Sequence, residues 1–397
     1  MIAVADARAR ILAQVERATA PETRPLRSAL GRVLACDVRA PFDVPPADNS
    51  AVDGYAVRAA DLRPGGSARF RVVGDLPAGG VFAGAIARGE ALRIMTGAPM
   101  PPGADTVVPK ELAVEAPGEV ELRAVDAGAN VRARGEDVRA GEVVLRAGAV
   151  LRPQDLGLLA SLGFPETRVH RPPRVALLST GDEVVEPGRP RRPGQIYDAN
   201  RFSLAAMTEA AGAEALDLGI VPDVEDLLRA RLADAAGQAD VVLTSGGVSV
   251  GDYDLVKRVL AQLGGIEFWQ VAMQPGRPLA VGRIGAAQFF GLPGNPVASM
   301  LCFHLFVRPT LWKLGGRSRL DPECLTARAV EPMRKKAGRR EFKRGVLRFT
   351  ERGFEVSTTG PQGSGILSSM VAANCLIILE EPRGDVEPGE PVLVEPL

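Results

Sequence analysis

Eleven residues, TSGGVSVGDYD (244–254), follow the apolar run ADVVLT and hold three glycines, two serines and two aspartates, but no lysine and no histidine. Gly246 and Gly247 let a backbone turn sharply and bring its N–H groups toward a ligand. Ser245 and Ser249 add hydroxyl donors. Asp252 and Asp254 would repel a bare phosphate unless they held a divalent cation bridging to it. The loop therefore suits a phosphate together with a metal. An ordinary strand-to-helix turn with Asp254 as an N-terminal charge fits it equally well.

Other loops repeat this habit. LSTGDE (178–183) sets Thr180 and Gly181 beside Asp182 and Glu183. GLPGNPVASM (291–300) offers Asn295 as a helix cap and Pro296 as a first helical residue, a role sufficient by itself, although a helix start after a strand is also an anion site. QPGRPLAVG (274–282) presents Arg277 between two prolines, a rigid turn for an oxyanion or a solvated surface arginine. DNSAVDGYAV (48–57) clusters Asp48, Asn49, Ser50 and Asp53 around a Gly-Tyr turn, and IMTGAPMPPGAD (94–105) and RGED (134–137) again put polar groups between apolar runs.

The elements that position these loops are legible as texture. Residues 1–40 read as helical; 55–150 break into short half-alternating apolar runs with glycine turns, a β domain; RPQDLGLLASLGF (152–164) returns to helix with Gly163 as its stop. From 174, continuous apolar runs alternate with helix patterns, which argues a parallel sheet covered on both faces. Ligands in such sheets bind beyond the carboxyl ends of the strands, where STGDE and TSGGVSVGDYD fall. From 321 the texture is β again. The expected fold is multidomain α/β and β: a central doubly wound parallel-sheet domain (173–320), an inserted β domain (45–139), a discontinuous N-terminal helical layer (1–44 and 140–172) and a small C-terminal β barrel (321–397).

Composition narrows the chemistry. Lys+Arg and Asp+Glu both number 48 in 397 residues, so no global field favours nucleic acid or membrane. No run approaches a membrane span, the N-terminus is amphipathic, and the four cysteines are scattered, which together read as a cytoplasmic protein without a disulfide framework. The two histidines, His170 in a Pro-rich linker and His304 in an apolar helix, read as structural, leaving acid–base and metal work to carboxylates. MRKKAGRREFKRG (333–345), with seven basic residues against one acidic, reads as a solvated hairpin face.

Taken in order, DNSAVDGYAVR, RIMTGAPMPPGAD, VRARGEDV, STGDEV, GQIYDAN, TSGGVSVGDYD, QPGRP, GLPGNPVAS and GRREFKRG resemble the molybdopterin molybdenumtransferase family (MoeA and the E domain of gephyrin) over nearly the whole chain. The resemblance implies the last step of molybdenum cofactor synthesis: molybdenum from molybdate is inserted into adenylylated molybdopterin and AMP is released, with a divalent cation such as Mg²⁺. It implies an elongated homodimer whose active cleft lies between subunits, and it admits the molybdopterin adenylyltransferase as a partner. Carried over by motif, the catalytic positions are Asp53, Thr96, Asp137, Glu183, Asp223 and Asp254, with Asp223 and Asp254 as metal carboxylates. Ligand-binding positions are Thr180, Gly181, Ser245, Gly246, Gly247, Ser249, Gly251, Arg277, Pro293, Asn295, Pro296, Arg344 and Ser364. One departure stands out: some members place lysines where this chain has Gln270 and Gln274, leaving Arg277 as the basic residue there. The rivals are a peptide-binding scaffold like the gephyrin E domain, against which the retained carboxylates argue; an enzyme of the related fold that adenylylates molybdopterin or acts on a nicotinamide nucleotide, against which the DGYA and EFKRG regions argue; and a nucleic-acid binder resting on 333–345.

Overall fold

The computed structural model describes residues 1–246 and 255–397. The chain forms two compact units, one of residues 36–147 and 153–165, the other of residues 1–35, 148–152 and 166–397.

The smaller unit is built on a six-stranded sheet in the order Thr106–Pro109, Gly54–Val57, Glu90–Ile94, Ser67–Leu76, Glu119–Arg123, Ala113–Ala116. Glu119–Arg123 shows why: its period-two pattern buries Val120 and Leu122 and exposes Glu119 and Arg123. Buried residues form two clusters, one around Tyr55, Phe70 and Leu122 and the other around Leu92, Ile94 and Val107. The helix Pro153–Ser161 ends at Gly163, whose φ of 81° is the left-handed stop expected from the sequence.

In the larger unit the central sheet runs Glu214–Val221, Arg174–Thr180, Val241–Ser245, Ala287–Leu292, Pro278–Ile284, Glu267–Gln270. The first four strands are mutually parallel and the last two are antiparallel additions. Alternate residues of these apolar runs serve opposite faces. Val175, Leu177, Val241, Leu243 and Phe290 pack with Ile11, Leu204 and Phe303 on one side. Ala176, Leu178, Val242 and Phe289 pack with Leu228, Leu232 and Leu260 on the other. Continuous hydrophobicity is what a strand buried on both faces requires. The C-terminal strands Arg340–Thr350, Gly353–Thr358, Leu325–Ala329, Pro391–Pro396 and Cys375–Leu379 close into a five-stranded barrel, the last pairing back onto the first.

Two sequence readings change. The helical reading of residues 1–40 holds for Val4–Ala13, whereas Pro21–Pro25 is a strand paired with Glu166–His170; its two prolines suit the edge of a two-stranded pairing. Pro278–Ile284, read from sequence as a rigid turn, continues into a strand whose apolar residues are buried. The basic stretch from 333 is tied into the barrel: Arg334 pairs with Asp385, Arg340 with Glu381 and Lys343 with Glu341, so three of its seven basic residues are met by carboxylates.

Gly54 is required by close approach. A Cβ there would stand 2.1 Å from the Val108 carbonyl oxygen on the adjacent strand. Gly54→Ala is expected to destabilise the smaller unit by about 1–3 kcal/mol or more, read as a lowered denaturation midpoint; an unchanged midpoint contradicts the strand contact.

Candidate functional site

Three parallel strands end level with one another, because Ser179 stands opposite Ser245 and Ser245 opposite Leu292. The chain reverses its direction of strand addition between Arg174–Thr180 and Val241–Ser245, the switch point at which doubly wound sheets open a crevice. Two cavities lie at these ends. The smaller, ≈ 280 Å³, is lined by Thr180, Glu183, Asn200, Ser245, Gly246 and Asn295 among others. The larger, ≈ 770 Å³, takes in Glu183, Gln274, Arg277, Pro293, Asn295 and Ser364, so that a loop of the barrel region completes the lining.

Local backbone chemistry explains the shape. Gly246 has φ 94°, and a Cβ on it would press to 3.3 Å from the Thr180 carbonyl oxygen. Gly181 has φ 124°, a backbone conformation that residues with a Cβ rarely adopt. Both positions need glycine. Asn295 stands at the cap position of the helix Pro296–Cys302 but makes no side-chain cap bond; its side chain is left to the cavities it lines. Val297 N–H donates to the Ser364 carbonyl at 3.1 Å, which ties this helix start to the barrel loop.

Asn200 is the residue that sequence reasoning passed over. Its buried amide nitrogen donates to Ser245 Oγ at 2.7 Å and to the Gly294 carbonyl at 2.8 Å, fastening two of the strand-end loops together. The signal was present in GQIYDAN, but an asparagine at a helix start reads as a cap.

Arg344 does not line either cavity. It is 1% exposed, donates from Nε to Ser369 Oγ at 2.9 Å and from Nη2 to the Gly363 carbonyl at 3.0 Å, and its backbone N–H donates to Gln362 Oε1. Burial pushes its pKa down. It therefore supports the 362–364 turn, which does line the larger cavity, from behind.

Carboxylates gather at the first strand end. Asp223 N–H donates to Asp182 Oδ1 at 3.3 Å. Lost hydration, then the like charges of Asp182 and Glu183, raise the Asp223 carboxyl above its ordinary value, against backbone N–H bonds from Asp182 and Gly181. Oxygen donors of this kind suit a hard cation. Among the described residues, however, no three His, Cys, Asp or Glu side chains converge to hold a metal. Gly247, Ser249, Gly251 and Asp254 lie outside the described residues.

In the smaller unit, Asp53 and Thr96 do meet. The Thr96 backbone N–H and hydroxyl both donate to Asp53 Oδ1, at 2.9 and 2.7 Å. These bonds, the backbone one foremost, hold the Asp53 pKa below the usual carboxylate value, helped by Lys110 and Arg93. Lys110 Nζ is 3.8 Å from Asp53 Oδ2. It was not singled out in the sequence, yet it follows Pro109, which pairs directly with Gly54. Asp137 sits on a separate turn, its backbone N–H bonded to the Val44 carbonyl. The histidines are engaged structurally: His170 Nδ1 with the Thr19 carbonyl at 2.7 Å, His304 Nε2 with Glu395 at 2.6 Å.

A parallel sheet with a ligand-sized cavity at its switch point defines an α/β small-ligand-binding protein. Comparison supplies the particular family. Residues 2–163 match the MoeA N-terminal region (domain I and II), residues 176–313 a probable molybdopterin binding domain, and residues 326–397 the MoeA C-terminal region (domain IV). The chain is 42% identical to the molybdopterin molybdenumtransferase of Haemophilus influenzae, covering 100% of this chain and 98% of the relative. It is 39% identical to molybdopterin molybdenumtransferase 2 of Mycobacterium tuberculosis, with 96% of each covered. The crystal structure of the molybdopterin biosynthesis moeA protein from Pyrococcus horikoshii superposes with a TM-score of 0.88 at 31% identity, over the whole of both chains. This chain belongs to the molybdopterin molybdenumtransferase family.

Two outcomes test the geometry. Asn200→Ala leaves the buried Ser245 hydroxyl and the Gly294 carbonyl without this donor and is expected to cost about 1–3 kcal/mol, measured by chemical denaturation. Thr96→Val removes one donor to Asp53, so the Asp53 carboxyl should titrate higher by ¹³C NMR. The sign follows from linkage: a carboxylate with a depressed folded pKa contributes stability above its unfolded pKa and loses it as pH falls through the folded value. An unmoved Asp53 titration contradicts the hydroxyl contact.

Proposed function

We propose that this chain inserts molybdenum from molybdate into adenylylated molybdopterin and releases AMP, the closing step of molybdenum cofactor biosynthesis. The carrying observation is the larger cavity at the strand ends, where Glu183, Arg277, Asn295 and Ser364 converge from four separated segments within a family-wide match. Its ≈ 770 Å³ falls in the range of small-molecule sites.

In this reading Thr180, Gly181, Ser245, Gly246, Pro293, Asn295, Pro296 and Ser364 bind the pterin nucleotide, Arg277 meets a phosphoryl or molybdate oxygen, and Arg344 holds the 362–364 turn in place. Gly247, Ser249 and Gly251 belong to the same loop. Phosphoanhydride cleavage needs charge stabilisation and an oriented nucleophile more than a tuned base, which suits a site poor in histidine. Molybdate is itself an oxyanion nucleophile. Asp223, with Asp254, would hold a divalent cation such as Mg²⁺, which would offset phosphoryl charge; lost hydration first, and then the like charges of Asp182 and Glu183, raise the Asp223 pKa, and a bound cation would offset the second of these. Asp53, Thr96 and Asp137 form the molybdate side, contributed by the second copy of a cytoplasmic homodimer, and the molybdopterin adenylyltransferase would hand over the substrate. No described helix is long and apolar enough to cross a membrane.

The variants Asp223→Asn and Asp53→Asn test this. Each should keep the native far-ultraviolet circular dichroism spectrum and lower the rate of molybdate-dependent AMP release by about 10²-fold or more. Wild-type rates in both contradict the assignment.

A further inference from the structure

The segment EPGRPRRPGQ (186–195) concentrates Arg189, Arg191 and Arg192 within four residues, and nothing above uses it. All three arginines are exposed. The one acidic residue of the segment, Glu186, is taken by the Arg201 guanidinium. Among the described residues no carboxylate pairs with Arg189, Arg191 or Arg192.

The loop is held rather than loose. Pro187, Pro190 and Pro193 recur at every third position, which fixes φ three times in ten residues. Its ends turn through Arg189 N–H to the Glu186 carbonyl and Gln195 N–H to the Arg192 carbonyl, both 3.1 Å. Gln195 Oε1 accepts the Arg192 N–H at 3.0 Å, and the Tyr197 hydroxyl donates to the Arg189 carbonyl at 3.2 Å. Beneath it, Arg201 is buried and binds Asp198 at 3.0 Å as well as Glu186 and Asp217.

Its place is the rim of the site. The loop springs from the ribbon Val184–Val185 and Ile196–Tyr197, and Val184, Ile196 and Tyr197 line the smaller cavity. Arg191 Cζ lies 5.6 Å from the Tyr197 ring centroid, so this cation is stacked on a cavity-lining side chain. The nearby strand end is acidic, with Asp182, Glu183 and Asp223, and Arg277 is the one basic side chain among the described residues of the two linings. A polyanion approaching such a floor is repelled unless positive charge stands at the entrance.

We propose that Arg189, Arg191 and Arg192 are a preorganised capture arm for the phosphoanhydride of the substrate, acting on binding rather than on the chemical step. The inference rests on the functional reading above. It also gives a physical reason why glutamines are tolerated at 270 and 274: the arm supplies positive charge that those positions lack. Exposed guanidiniums act over roughly a Debye length, about 8–10 Å at moderate salt, so their effect must weaken as salt rises.

The test compares wild type, the R189Q/R191Q/R192Q variant, and an equal-charge control, R328Q/R348Q/R352Q, on the barrel. Turnover of adenylylated molybdopterin is measured as AMP release at low and high ionic strength, and its equilibrium binding by titration calorimetry. The loop variant should raise KM and Kd roughly tenfold at low salt, with kcat unchanged, and the gap should narrow at high salt. Unchanged KM and Kd, a loss confined to kcat, or an equal rise in the control overturns the proposal. Wild-type protein that binds without releasing AMP sinks the functional reading while the Kd comparison still decides the arm; wild type that does not bind at all overturns both.

Discussion

The site depends on one registration. Three parallel strands must end at the same height, and the loops that follow them must be fastened together, or there is no cavity to line. Asn200 does the fastening with one amide nitrogen shared between Ser245 Oγ and the Gly294 carbonyl. Behind it, alternating residues bury the strands on both faces, so the sheet cannot slip by one residue without exchanging its two hydrophobic cores. Several buried polar atoms at this level, Ser179 Oγ, Thr244 Oγ1 and Asn200 Oδ1, have no partner among the described residues. Such groups are costly in a finished core and are expected where water or a ligand completes the bonding.

Around that scaffold the charges are separated by purpose. Carboxylates crowd the end of the first strand, where lost hydration and then mutual repulsion raise Asp223. Cations occupy the margins, Arg277 in a proline-bounded turn and the arginine loop on its ribbon. Arg344 is buried and supports the barrel turn through neutral partners, Ser369 Oγ and the Gly363 carbonyl. In the smaller unit, Asp53 is kept ionised by hydrogen bonds from Thr96 rather than by burial. Ionised and crowded carboxylates thus coexist in one chain because their surroundings differ, the usual way a protein divides roles among like groups.

Much of this was legible beforehand. The buried parallel strands announced themselves as continuous apolar runs, and the glycine-rich loops fell at their ends because the topology leaves no other place for them. Gly246 was readable as a turn glycine, whereas the positive φ of Gly181 was not. What the sequence hid was contact across distance. Asn200 and Lys110 were not singled out, and Arg344 was read as a ligand contact, because burial and cross-strand neighbours are tertiary facts. The Pro278–Ile284 strand was masked by its opening proline, and Pro21–Pro25 by prolines at both ends. In each case a local breaker signal was outweighed by pairing with a distant strand.

The most direct test of the central claim is AMP release by wild-type protein from adenylylated molybdopterin, with molybdate present and absent. Insertion at this site predicts release that rises with molybdate and a pterin product carrying the metal. Release at the same rate without molybdate, with metal-free product, would contradict it.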